Sequence, residues 1–212
     1  MEFNCPFSKR GMKRGIYPKM KPISCDYAIM CIDGFGGIGL DGKLLTNNKT
    51  DMDFFKSKTQ NSILVMGSKT FESLPNPSKM MRDGNRIGVV LTRNKNMELP
   101  FEFIAMTEEE FRCPKTFIEK LDLRFGNGEA IFRYHANNIV LIGGAYYYNR
   151  LKELGINKAY VTTLLEERFN TFPSVADTFV DMNQEIFVAG DSKTLHLTKE
   201  VLIEEYRQSP VN

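Results

Sequence analysis

Residues 28–48 read "AIMCIDGFGGIGLDGKLLTNN", and the fold turns on how Gly34-Phe35-Gly36-Gly37-Ile38-Gly39 is read. These six residues match G-x-G-x-x-G, a dinucleotide-binding turn whose glycines must follow a strand and open a helix. The short apolar run Tyr27–Ile32 supplies a strand. No helix follows, because Leu40-Asp41-Gly42 is a turn signal and Thr46-Asn47-Asn48 are weak helix formers. The next helical pattern starts near Thr50, too late for its amides to meet a phosphate at Gly36. An acid at the end of a second strand, which would hold a ribose, is also missing at the Rossmann spacing. The stretch is therefore expected to be a long mobile loop, with glycines that permit hinge motion and close approach to a ligand.

Outward from this loop, short apolar strands alternate with helical stretches, the pattern of an α/β sheet. Strands are expected at Tyr27–Ile32, Ser62–Met66, Ile87–Leu91, Phe101–Ala105, Ile139–Ile142 and Lys158–Leu164. Helices are expected at Thr50–Thr59, Lys69–Leu74, Glu108–Phe111 continuing through Ile118–Arg124, and Ala145–Leu154. The stretch "EIFVAGDSKTLHLTKEVLIEEYR" reads as two or three antiparallel strands closing an edge. Within a broader insertion near 112–138, residues 126–138 are loop-like. At 212 residues, residues 25–212 are expected to form one domain.

The net charge of +2 hides an asymmetry. Residues 1–24 carry Lys9, Arg10, Lys13, Arg14, Lys19 and Lys21 against Glu2, so the body is near −3. Such a body gives no electrostatic reason to expect nucleic acid. The basic stretch lacks the apolar core of a secretory signal and is expected to be a poorly ordered extension. No apolar run approaches the ~20 residues of a membrane span. Cys5, Cys25, Cys31 and Cys113 form no C-x-x-C pair, and His135 and His196 have no metal spacing. The cysteines are read as reduced, the compartment as cytoplasmic, and no metal is expected.

Four stretches could carry chemistry. In "TNNKTDMDFFKSKT" (46–59), Thr50 is the expected N-cap and Asp51 shares a face with Phe55, Met52 lying beside them. A carboxylate on a face of Phe and Met is unusual, although the helix dipole alone could explain it. In "SILVMGSKTFESLP" (62–75), a strand runs into Gly67, and Ser68, Lys69 and Thr70 open a helix, a phosphate-friendly arrangement. The strand "RIGVVLTRN" (86–94) ends in Thr92-Arg93, a hydroxyl beside a guanidinium, which suits an isolated phosphate. In "NIVLIGGAYYYNRL" (138–151), an apolar strand meets Gly143-Gly144 and then a helix, the context that the first glycine cluster lacks.

Taken in order, "GIGLDG", "DMDFFK", "VMGSKTFESLP", "VVLTR", "IVLIGGAYYY" and "AYVTTLLEE…NTFP" resemble dihydrofolate reductase, over about residues 27 to 175. The resemblance implies a central mixed, mostly parallel eight-stranded sheet flanked by helices. It implies reduction of 7,8-dihydrofolate by NADPH, for one-carbon metabolism and thymidylate synthesis, in a monomer inhibited by antifolates. It makes Asp51 the active-site carboxylate, supported by the Thr162 hydroxyl, with Leu44 as a further catalytic position. Met30, Cys31, Met52, Phe55 and Leu74 would line the folate pocket, and Arg86 would hold the glutamate tail. Ile38, Gly39, Gly67, Ser68, Lys69, Thr70, Thr92, Arg93, Ile142, Gly143, Gly144, Ala145, Tyr146 and Tyr148 would bind the cofactor. Four positions depart from the family. Leu45-Thr46 replaces a frequent Pro-Trp, Ser68 replaces a common basic residue, and Asn170 stands where an Asp often braces the closed lid, implying looser closure.

In the implied chemistry a hydride passes to an imine carbon and a proton reaches the adjacent ring nitrogen, through water admitted by the lid. Two other readings stay open: the pyrimidine reductase of riboflavin synthesis, and a folate- and NADPH-binding module without turnover. The "DMDFFK" helix argues against the first.

Overall fold

The structure, a computed structural model, describes residues 21–94, 96–128, 131, 138–171 and 173–208. The basic stretch 1–20 and most of the loop 126–138 lie outside the described residues. Strands β1 (Tyr27–Ile32), β4 (Ile63–Gly67), β5 (Ile87–Leu91), β6 (Phe103–Met106), β7 (Ile139–Gly143), β8 (Lys158–Leu164), β10 (Asp191–Leu197) and β11 (Val201–Arg207) form one sheet. Its order is β10-β11-β8-β1-β7-β4-β5-β6. All neighbours pair in parallel except those of β11, which runs against β8 and β10. The expected mixed, mostly parallel eight-stranded sheet is the one found.

Every residue of β4 and β5 is buried, as strands covered on both faces require. One face presents Ala28, Met30, Val65, Val89, Leu141 and Val161 to helices α4 (Glu108–Arg112) and α5 (Pro114–Phe125). The other presents Tyr27, Ile29, Leu64, Met66 and Tyr160 to α1 (Lys49–Lys58), α2 (Ser68–Ser73) and α3 (Pro77–Asp83). Edge-to-face rings seat these helices: Phe54 on Tyr160 at 5.6 Å and Phe71 on Phe103 at 5.0 Å, each contributing about 0.5–1.5 kcal/mol beyond burial. Gly88 makes room, since a Cβ there would stand 2.1 Å from the Phe103 ring.

Several boundaries differ from expectation. The strand expected at Phe101–Ala105 begins at Phe103, because the Phe103 amide closes a turn onto Pro100 O at 3.0 Å. Arg124 donates to the Leu99, Pro100 and Phe101 carbonyls, fixing that turn as a loop. The helix expected at Ala145–Leu154 is regular only over α6 (Ala145–Tyr148) and continues as turns to Gly155, whose φ is +72°. The helix α3 was not anticipated; Asn76 caps it and Pro77 opens it. The closing stretch holds one helical turn, α7 (Glu185–Val188), before its two strands. Of the cysteines expected to be reduced, Cys25 and Cys31 are free thiols. Cys113 is disulfide-bonded.

The largest departure is the glycine-rich stretch, which is not a loop. Strands β2 (Gly37–Leu40) and β3 (Lys43–Leu44) form a hairpin around Asp41 (φ +51°) and Gly42 (φ +70°), the Asp-Gly arrangement of a two-residue turn. Strand β9 (Thr178–Phe179) pairs with β2, giving a second, three-stranded sheet β3-β2-β9.

Candidate active site

A cleft of about 1820 Å³ lies across the carboxyl ends of β1, β4, β5 and β7 and is roofed by the β2–β3 hairpin. Of the residues expected in the site, all but Thr162 line it.

The floor is built by α1. Its N-cap is Asn48, not the expected Thr50: Asn48 Oδ1 accepts from the Thr50 and Asp51 amides at 2.9 and 3.2 Å. Asn48 Nδ2 also donates to Glu200 Oε2 at 2.9 Å, tying the helix start to the β10–β11 turn. This cap sets Asp51 over the sheet face that carries Cys31 and Thr162, which are register partners on β1 and β8. The carboxyl is half-buried, enclosed on the sheet side and open to the cleft. Burial pushes its pKa up, and the Thr162 hydroxyl opposes the rise. That hydroxyl is buried and makes no hydrogen bond within normal limits, so its influence on Asp51 is that of a nearby dipole. Burial, with the Asp51 carboxyl adding to it, pushes the Cys31 thiol well above its ordinary value. Tyr148 stands nearby, buried, its hydroxyl donating to Ile29 O at 2.7 Å.

Phe55, Met52 and Leu74 supply apolar wall. Met30 packs into the core of the opposite face, so it offers the cleft its backbone. Arg86, at 5% exposure, is held at the cleft edge by three carbonyls: Thr59 O at 2.8 Å, Met80 O at 2.6 Å and Lys56 O at 3.4 Å. A guanidinium has five N–H groups, so donors remain for an anion.

The opposite rim is made of strand ends. A Cβ on Gly143 would lie 2.4 Å from Thr70 Cγ2, and Gly144 has φ +103°. Only glycine lets β7 come this close to α2 while leaving backbone open to the cleft. Gly67 precedes α2 with no side-chain cap, and Ser68 and Thr70 line the cleft beside it. Lys69 and Arg93 are exposed on the rim and enter no salt bridge among the described residues. Thr92 Oγ1 accepts the Asn94 amide at 3.1 Å, which leaves its proton to donate outward. Ile142, Ala145 and Tyr146 complete this wall, Tyr146 with the Arg150 guanidinium 4.7 Å from its ring centroid.

The roof carries Ile38, Gly39 and an exposed Leu44. Asn170, expected to face the lid, directs its amide to the Leu164 and Glu166 carbonyls, both at 2.9 Å. The carboxylate on the lid is Asp177 instead: its Oδ2 accepts the Asp41 amide at 2.8 Å, and its own amide donates to Gly39 O at 3.0 Å. The Asp41 amide is the main reason its pKa falls below the usual carboxylate range. Asp177 and Asp33 were both missed in the sequence. The signal for Asp33 is an Asp before three glycines, an Asx-turn pattern; Asp177 has no comparable local signal.

Fold and cleft define a class: α/β proteins that take ligands in a crevice beyond the carboxyl ends of parallel strands, where the strand order reverses. Comparison with known proteins narrows the class to one family. A profile of dihydrofolate reductase matches residues 27–203, and the chain belongs to that family. A bifunctional dihydrofolate reductase-thymidylate synthase from Daucus carota is 30% identical over 157 residues, 70% of this chain. The match spans only 26% of the carrot protein's length, and 16% of an Arabidopsis thaliana relative with the same two activities in its name. The dihydrofolate reductase of Saccharomyces cerevisiae is 24% identical over 176 residues, 79% of this chain and 78% of the yeast one. A solved Enterococcus faecalis dihydrofolate reductase complexed with NADP(H) shares the fold at TM-score 0.57 and 22% identity. It covers 89% of this chain and 100% of its own.

Proposed function

We propose that this chain reduces 7,8-dihydrofolate to tetrahydrofolate with NADPH. The observation that carries the reading is the Asp51 carboxyl, its pKa raised, in a cleft whose far rim is the glycine pair packed on Thr70. A nicotinamide dinucleotide fits the residues present. Gly143 and Gly144 keep side chains out of the rim, Thr70 and Thr92 offer hydroxyls, and Lys69 and Arg93 are cations available to phosphate. Ser68 leaves those two cations to distinguish NADPH from NADH.

Reducing the C=N bond of the pterin adds a hydride at carbon and a proton at nitrogen. When bound, the cofactor supplies the hydride. The chain's residues do the rest. Asp51 orients the pterin through a two-point hydrogen bond and, as the carboxylate, favours the protonated ring. Thr162 limits that rise from below the carboxyl. Phe55, Met52 and Leu74 exclude water from the ring's face, and Arg86 receives the carboxylate of the substrate's tail. The hairpin roof controls entry of the water that relays the proton. In this reading the enzyme acts as a cytoplasmic monomer, feeds one-carbon metabolism and thymidylate synthesis, and is blocked by antifolates.

The test mixes purified chain with NADPH and dihydrofolate and follows loss of the reduced-nicotinamide absorbance, with Asp51→Asn alongside. Turnover that collapses in the variant supports the assignment; near-normal turnover in the variant sinks it. No turnover with both ligands bound makes the protein a binding module.

A further inference from the structure

Asp33 is fully buried, at 0% exposure, and plays no part in the chemistry above. It sits where β1 ends and the glycine run begins. Its Oδ1 accepts two backbone amides, Phe35 N at 2.8 Å and Gly37 N at 2.7 Å. Its Oδ2 accepts the Ser174 hydroxyl, which in turn accepts the Ala176 amide at 3.0 Å. The same carboxylate therefore closes the turn that launches the roof and grips a segment 141 residues away. The backbone follows suit: Gly36 O accepts the Val180 amide at 2.8 Å, and Gly37 pairs with Phe179. The spacing is tight enough to demand glycine, because a Cβ on Gly37 would lie 2.3 Å from Ala176 Cβ and 2.6 Å from Asp33 Oδ2.

We infer that Asp33 and Ser174 are positioning residues that clamp the β2–β3 roof to the 174–180 segment and so hold Ile38 and Gly39 over the cleft. The physical basis is that a buried carboxylate is retained only if its acceptor sites are filled, and here they are filled from both sides of the joint. Losing the Ser174 hydroxyl leaves a buried charge short of one donor. The roof's side of the joint then has an incentive to open toward water. The effect on turnover rests on the reductase reading; the effect on the roof does not.

The experiment compares Ser174→Ala, Asp33→Asn and their combination with the parent chain. Its first readout is amide hydrogen exchange over residues 34–44 and 174–180 in the ligand-free protein. Both single variants are expected to speed exchange in both segments, and in no other part of the sheet, by roughly ten-fold, the loss of one charge-assisted hydrogen bond. The double variant is expected to go no further than the worse single one, because the two act through one bond. Ser174→Thr, which keeps the hydroxyl, restores protection. Unchanged exchange in Ser174→Ala, whose hydroxyl is only part-buried and whose loss leaves the fold intact, overturns the clamp. The second readout is steady-state kinetics, in which kcat is expected to fall several-fold with little change in NADPH KM. Faster exchange with unaltered kcat overturns the positioning role and leaves a structural joint. A parent chain without dihydrofolate-dependent turnover overturns the reductase reading, and the exchange result still decides the clamp.

Discussion

The cleft has two walls of different construction. The strand-end wall, from Gly67 through Thr92 to Gly143, is the finish of a parallel sheet in which every residue of β4 and β5 is buried. The roof is a small sheet of short strands, held together in part by the Asp41–Asp177 bond and tied to the end of β1 through Asp33 and Ser174. In the first wall, position follows from core packing, and polar groups are added at the ends. In the second, Ile38 and Val180 reach the core, and buried and exposed carboxylates bond the short strands around them. Packed cores resist displacement, whereas sparsely buried segments open locally at low free-energy cost. The contrast teaches that one site can combine a rigid cradle with a roof whose placement depends on a few hydrogen bonds.

Substitutions can break or sharpen this contrast. The largest effect is expected at the floor that both walls share: Asp51→Asn should preserve the fold and lose about 100-fold or more of turnover, read by stopped-flow absorbance. Gly143→Ala attacks the rigid wall. Its Cβ would collide with Thr70, so it should cost about 1–3 kcal/mol of stability, measured by urea unfolding. NADPH affinity should fall about ten-fold or more along with it, and an unaffected affinity would mean that the wall yields as easily as the roof. Arg93→Ala should weaken NADPH roughly ten-fold while leaving NADH nearly unchanged, the worth of a charge-assisted phosphate contact, seen by cofactor titration. On the roof, Asp177→Asn removes an exposed charged acceptor and should change kcat only a few-fold, with stability untouched.

The smallest effect is one of pH. Asp51 has a folded pKa above its unfolded value, so the folded state holds its proton more tightly. That contribution is present at low pH and is lost as pH rises from about 4 through the folded value. Asp51→Asn should therefore melt slightly higher than the parent at pH 7 and no higher at pH 3. A variant less stable at pH 7 would show that the carboxylate is structural.

The same contrast governs what could be read from the sequence. The strand-end wall was legible because its cues are local. Apolar runs of five or six residues followed by glycine, Thr-Arg or Ser-Lys-Thr put both the strand and its functional end within one window. Asp51 was legible as a carboxylate on a Phe and Met face, although its cap was misplaced by two residues because Asn48 and Thr50 are both good capping residues. The roof was illegible because its strands are two to four residues long and rich in glycine. Their pairing with β9 and the two aspartates joins positions 136 and 141 residues apart. Asn170 was legible as a position without the bracing carboxylate, but the carboxylate that bonds the Asp41 amide lies seven residues on, at Asp177, where no local pattern marks it. Arg86 was placed in the cleft, but its three bonds to carbonyls could not be foreseen from a position that precedes a strand.

The sheet order has a consequence in time. Strand β1 finds its partners only in β7 and β8, with Tyr27 against Val140 and Ala28 against Leu141 and Ala159. A ribosome adding roughly 5–20 residues per second delivers those partners on the order of 5–20 s after β1 emerges. Meanwhile β4, β5 and β6, close in sequence and adjacent in the sheet, can pair among themselves. The newborn chain therefore carries an apolar first strand, with its glycine run behind it, unpartnered for most of its synthesis. The strand-end wall of the cleft is complete only once β7 has taken its place between β1 and β4.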